Sequence, residues 1–117
     1  MANTGLSGPY RLVDYEINQN IDRCPGTYVL GYINQENLFA IKYVGRSDID
    51  LNKRLHDWIG ENYSSFKASC FNTAKEAFNR ECQIYHDFGG SERLDNKEHP
   101  DRPDNANWEC PICDIFD

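Results

Sequence analysis

Several things are missing from this 117-residue chain, and each absence excludes a class of protein. No apolar run approaches the roughly 18 residues that a membrane span requires. The opening MANTGLSGPYRL holds no apolar h-region, so the expectation is a cytoplasmic protein without a signal peptide. There is no internal repeat and no low-complexity tract. Positive charge is scarce: 12 Lys and Arg stand against 19 Asp and Glu, for a net charge of −7. A generic basic nucleic-acid coat is therefore excluded, although a global charge says little about a local groove. The five cysteines are an odd number, and without an export signal a disulfide framework is not expected.

The chain does have the makings of a core. Hydrophobic residues make up 39%, aromatics 13% and charged residues 26%, the mix of a single globular domain over residues 1–117. The charge is uneven. Residues 40–80 carry 7 basic and 5 acidic side chains, whereas residues 81–117 carry 3 and 10.

Residues 1–24 are polar with few periodic signals and read as a loop or short helix wrapping the domain. Pro25-Gly26 marks a turn. Residues 27–33 are rich in β-branched and aromatic residues and predict a strand, residues 34–37 a turn, and residues 39–45 an antiparallel partner. Leu51, Leu55, Trp58 and Ile59 give an amphipathic helix behind the cap residues Asp48 to Asp50. Residues 66–71 alternate as a third strand. Thr73 and Glu76 form a capping box, opening a helix that runs to about Phe88. The fold class is α+β: a small, mostly antiparallel three-stranded sheet flanked by helices, with a loop-rich C-terminal tail.

One residue is out of place. On the second long helix, Ala74, Ala77, Phe78, Tyr85 and Phe88 form an apolar stripe, and Glu81 falls near its centre. A carboxylate there must be paired or bind a metal. An ion pair with Arg46 or Arg54 is the structural alternative. Arg54 flanks the stripe of the first helix, where its guanidinium either meets solvent or reaches the sheet edge.

Gly26-Thr27-Tyr28 on one strand and Tyr43-Val44-Gly45 on the next resemble the paired signatures of the GIY-YIG nuclease family. The family pattern continues with an Arg, a Glu and an Asn, matched here by Arg54, Glu81 and Asn96, so the resemblance covers residues 25–96 as a catalytic core. Thr27 replaces the usual apolar residue of the first triplet, and Arg54 lies one residue later than the pattern has it. The resemblance implies a DNA endonuclease that uses one divalent metal. Glu81 would bind Mg²⁺ or Mn²⁺, and Arg54 would hold the phosphate. Tyr28 would accept the proton of the attacking water, and Tyr43 would hydrogen-bond the phosphate or that water. Asn96 would orient the site. Arg46 stands where relatives often carry Lys and would stabilise the Tyr28 phenolate. One helical turn after Arg54, relatives carry Tyr or His; this chain has Trp58, whose indole donates but relays no proton. His56 points away from that face and reads as a surface or structural residue.

Residues 97–117 form a polar tail holding Cys110-Pro111-Ile112-Cys113, a CPxC knuckle and half of a zinc site. Cys24 and His99 are the candidate remaining ligands of a structural zinc, while Cys70 and Cys82 read as core. An unliganded pair, or a metal shared between two chains, is the alternative. DNA affinity grows with the phosphates neutralised. With only Lys42, Arg46, Lys53, Arg54 and Lys67 to offer, the chain would bind DNA weakly or depend on a DNA-binding partner protein or a homodimer. The rival to catalysis is a silent, zinc-braced module that binds nucleic acid or protein.

Overall fold

The computed structural model describes residues 4–116. Its elements run β1 (Ser7–Arg11), α1 (Asp14–Asn20), β2 (Gly26–Ile33), β3 (Phe39–Ser47), α2 (Leu51–Asp57), β4 (Ser65–Cys70), α3 (Ala74–Asp87) and the single turn α4 (Gly90–Arg93). The strands form one antiparallel sheet in the order β1-β4-β2-β3. The α+β class is as expected, but the sheet has four strands rather than three. The additional strand, β1, comes from the polar N-terminal segment expected to be a loop or short helix, which also supplies α1. A short edge strand shows an exposed, weakly patterned face, so its sequence carries little periodic signal.

The central strand explains the layering. Residues 26–31 of β2 are all buried, because both faces of the sheet are covered. On one face Tyr28 and Leu30 pack with Leu12, Ile17, Ile21, Leu51 and Leu55, contributed by α1, α2 and their flanking segments, and with Phe66 of β4. On the other, Val29 and Val44 pack with Ile84 and Tyr85 of α3. The Thr27 hydroxyl is fully buried there and donates to the Ala77 carbonyl of α3 at 2.7 Å. An apolar residue at 27 would leave out that tie between β2 and α3.

Local signals operate as the sequence suggests. Asp50 caps α2 by accepting from the Lys53 amide, and Thr73 caps α3 by accepting from the Glu76 amide at 3.1 Å. Two glycines of the paired triplets are demanded by space. A Cβ on Gly26 would stand 2.5 Å from a Leu51 methyl, and one on Gly45 would stand 2.4 Å from the Tyr28 ring and hydroxyl. His56 bridges Asn52 O and Asp14 Oδ1, each at 2.8 Å, tying α2 to α1 in the structural role expected. No helix among the described residues is long and apolar enough to cross a membrane.

Beyond α4 the described residues form no helix or strand, yet they are held. Asp95 N donates to Lys42 O at 2.5 Å. The Asn96 amide spans the edge of β3: its Oδ1 accepts from Val44 N at 2.9 Å and its Nδ2 donates to Val44 O at 2.8 Å. One side chain thus satisfies both main-chain groups of a buried edge residue. Asn96→Ala should destabilise the protein by about 2 kcal/mol, since both Val44 groups lose their partners. Urea unfolding of the two proteins measures this, and a difference within error would remove Asn96 as an edge clamp.

Candidate functional site

The candidate residues gather at the β3 edge of the sheet, around Gly45. Tyr28 from β2 and Tyr43 from β3 lie ring to ring, with centroids 6.5 Å apart and planes 27° apart. Trp58, just after α2, packs on Tyr43 at 4.8 Å and donates its indole N–H to the Tyr28 hydroxyl at 2.8 Å. Tyr63 completes the aromatic wall beside Tyr43 and donates to Asp95 at 2.7 Å. Trp58 therefore belongs to the site as a fixed donor on Tyr28. The sequence marks it only as a departure from pattern.

Glu81 enters from α3 and is only 8% exposed. Its Oε1 accepts from Arg46 at 2.8 Å, one of the two ion pairs offered as the alternative to a metal. Its Oε2 has no hydrogen-bond partner among the described residues. A cavity of about 340 Å³ opens beside it, lined by Tyr43, Glu81, Asn96, Glu98, Pro100 and Asp101 among others. Burial pushes the Glu81 carboxyl up to about 7, against the pull of the Arg46 charge.

Arg46 is not where the family resemblance would have it. Instead of facing Tyr28, its guanidinium bonds Asp48 at 2.6 Å, Glu81, and the Asp101 carbonyl at 2.8 Å. It also lies over the rings of Phe78 and Trp108, at 5.2 and 5.8 Å. The register accounts for this: Arg46 pairs with Thr27, whose side chain is on the α3 face, opposite Tyr28. The cation that acts on Tyr28 is Arg54. Exposed on α2, its guanidinium has no hydrogen bond or ion pair among the described residues, yet its charge favours ionisation of Tyr28, Tyr43 and Glu81 alike. Burial raises the Tyr28 phenol well above its ordinary value, and donation from Trp58 and the Arg54 charge oppose it. Burial and the Glu81 charge raise Tyr43 as well.

Asn96 is present at the cavity wall, but its amide is engaged by Val44, so it positions β3 and makes that contribution through the backbone. The expected basic contacts are also partly used. Lys53 pairs with Asp57 at 3.7 Å, Lys42 lies over Tyr32 and Lys67 over Phe39.

The cysteines are arranged differently from the sequence reading. Cys24 and Cys70 form a disulfide, with Cα atoms 5.7 Å apart. Cys24 is therefore not a metal ligand, and Cys70 is an exposed partner rather than a core residue. Two segments adjacent in the sheet bring them together, a proximity that spacing along the chain does not reveal. Cys82 is buried as expected. His99, Cys110 and Cys113 do converge, and their fourth companion is His86 of α3. The ligating atoms of these four all lie within 4.8 Å of one another and could hold a metal ion. The sequence reading missed His86, which is brought to the tail by the packing of α3 and carries no signal in its spacing from the other three.

The raised Glu81 carboxyl has a measurable cost. Below about pH 4.5 it is protonated in folded and unfolded chains alike. Between about 4.5 and 7 the unfolded chain ionises first, so stability falls with rising pH, and the loss is complete above about 7. Relative to Glu81→Gln, which never ionises, the wild type should lose on the order of 1–3 kcal/mol of stability between pH 4.5 and pH 8, whatever constant offset the lost pair with Arg46 adds. Thermal melts without added magnesium or manganese measure this; equal shifts at both pH values would mean that Glu81 is ionised throughout. No protein-family model, curated protein or solved structure matches the chain, so the function of this site is argued from its own residues.

Proposed function

We propose that the protein is a divalent-metal-dependent endonuclease that hydrolyses phosphodiester bonds in DNA, with a catalytic core of the GIY-YIG kind. The observation that carries this reading is a buried carboxylate and a phenol, Glu81 and Tyr43, lining one cavity, with a second phenol, Tyr28, stacked on Tyr43 and the Arg54 charge acting on all three. An apolar core has no use for that set, whereas phosphoryl chemistry uses each member.

Glu81 suits Mg²⁺ or Mn²⁺, which take oxygen donors. Its Oε2 is unengaged, and Glu98 and Asp101 line the same cavity. A metal held there would polarise the phosphate and stabilise the leaving oxygen. Arg54 holds the phosphate with its guanidinium fork and neutralises charge developing in the transition state. Tyr43 donates to the phosphate or to the attacking water. Tyr28 accepts the water's proton, and the Trp58 N–H and the Arg54 charge favour the phenolate that this role needs. Asn96 keeps β3, and so Tyr43, in register. Arg46 holds Glu81 in place through Oε1. The tail donors supply the second cofactor of this reading, a structural zinc. With Lys42, Lys53 and Lys67 already engaged by Tyr32, Asp57 and Phe39, DNA affinity comes from a partner protein or a second copy of the chain.

The second reading is a silent module that binds nucleic acid or protein, favoured by the Arg46 bond that occupies one oxygen of Glu81. Plasmid nicking with Mg²⁺ or Mn²⁺ separates the two. Wild type should cut, while Glu81→Ala, Tyr28→Phe and Arg54→Ala should each lose about 100-fold or more, the scale of removing a charge-stabilising or proton-transferring group. Because metal binding needs the ionised carboxyl, activity should climb with pH through about 7. Four silent proteins, or four that cut alike, would leave the binding module as the function.

A further inference from the structure

The one donor of α3 and the three of the tail lie within 4.8 Å of one another, and three of their separations are those of a tetrahedral metal site. Zinc–sulfur bonds of about 2.3 Å and zinc–nitrogen bonds of about 2.0–2.1 Å put tetrahedral neighbours about 3.3 Å apart for two nitrogens and about 3.6 Å apart for nitrogen and sulfur. The observed separations are 3.2 Å between His86 Nε2 and His99 Nε2, and 3.5 Å for both Cys110 Sγ to His86 Nε2 and Cys113 Sγ to His99 Nε2. A second observation points the same way. His99 Nδ1 lies 2.7 Å from the Pro100 carbonyl. A donor proton on Nδ1 leaves the Nε2 lone pair facing the other three donors, the arrangement by which ligating histidines are oriented. The set of two thiols and two imidazoles, without carboxylate or spare position, is that of a closed structural zinc site and not a catalytic one.

What such a site would hold is also visible. His86 belongs to α3, while His99, Cys110 and Cys113 belong to the tail. Between His99 and Cys110 the chain passes Arg46, presenting the Asp101 carbonyl to its guanidinium and the Trp108 ring to its face. Trp108 and Phe116 pack on Phe78 of α3. The tail has no helix or strand of its own to keep it there.

We propose that His86, His99, Cys110 and Cys113 bind one zinc ion as a clamp that seats residues 99–113 on α3 and thereby fixes Arg46 beside Glu81. The clamp stands on its four donors and does not depend on the nuclease reading. It also replaces the ligand set expected from the sequence, with His86 in the place of Cys24.

The test uses the full chain, expressed without a histidine tag and purified under a non-thiol reductant without chelator. Metal analysis should find one zinc per chain. Cobalt exchange should give the intense visible bands of a tetrahedral ion together with thiolate charge transfer. Cys110→Ser and His86→Ala should each lower zinc content at least tenfold, while Cys24→Ser keeps it. Stripping zinc from the wild type with a strong chelator should speed proteolytic cutting within residues 97–117 at least tenfold, and zinc should restore protection. This arm keeps the test decisive if a variant fails to fold. Zinc-free protein, cobalt without thiolate charge transfer, or loss of zinc from Cys24→Ser would overturn the assignment. An unchanged rate of tail cutting after stripping would overturn the clamp. None of these readouts involves DNA cutting, so the clamp and the nuclease can fail separately.

Discussion

The contact on which the site depends is the pair between Arg46 and Glu81. Two charges are removed from water with side chains only 11% and 10% exposed. Breaking such a pair strands the remaining charge, which costs far more than the pair itself contributes. The surroundings are organised to prevent this. Asp48 takes a second edge of the guanidinium, the Asp101 carbonyl takes another donor, and Phe78 and Trp108 lie on its faces. Strand β3, helix α3 and the tail are each represented, so the tail is part of the setting of the carboxylate rather than an appendage to it.

A second constraint is steric. Tyr28 is almost fully buried, and its hydroxyl lies against Gly45, with room only because that position has no side chain. The same hydroxyl accepts from Trp58. The two triplets are therefore coupled: the tyrosine of one occupies the space that the glycine of the other leaves. The phenol is held still by a donor and a wall, which suits a group that must meet a reacting atom at fixed distance.

The sequence disclosed what local chemistry controls. The hairpin, the caps of α2 and α3, and the burial of Glu81 followed from periodicity and cap residues, because each depends on neighbours within a few positions. Strand β1 escaped notice because its pattern of exposure lacks the alternation of a half-buried strand. Side-chain partners across the fold were harder. Arg46 lies near Tyr43 in sequence, but strand alternation turns it to the opposite face of the sheet from Tyr28. Cys24 was placed with the tail thiols by inventory, yet β2 and β4 lie side by side and bring it to Cys70. His86 joins His99, Cys110 and Cys113 because α3 carries it past the tail, a fact of tertiary packing.

The disulfide has a topological consequence. Cys24 and Cys70 are separated by 46 positions, and the loop they close contains Tyr28, Tyr43, Arg54 and Trp58. The four tail donors span residues 86–113, a separate stretch containing Asn96 and Asp101. Glu81 belongs to neither and sits on the segment between them. The phenols and the guanidinium are thus enclosed by a link that a reductant opens, and the flank of the carboxylate by donors that an acid or a chelator would address. The site is assembled from one covalent ring and one set of converging donors, joined by the short span of chain that carries its buried carboxyl.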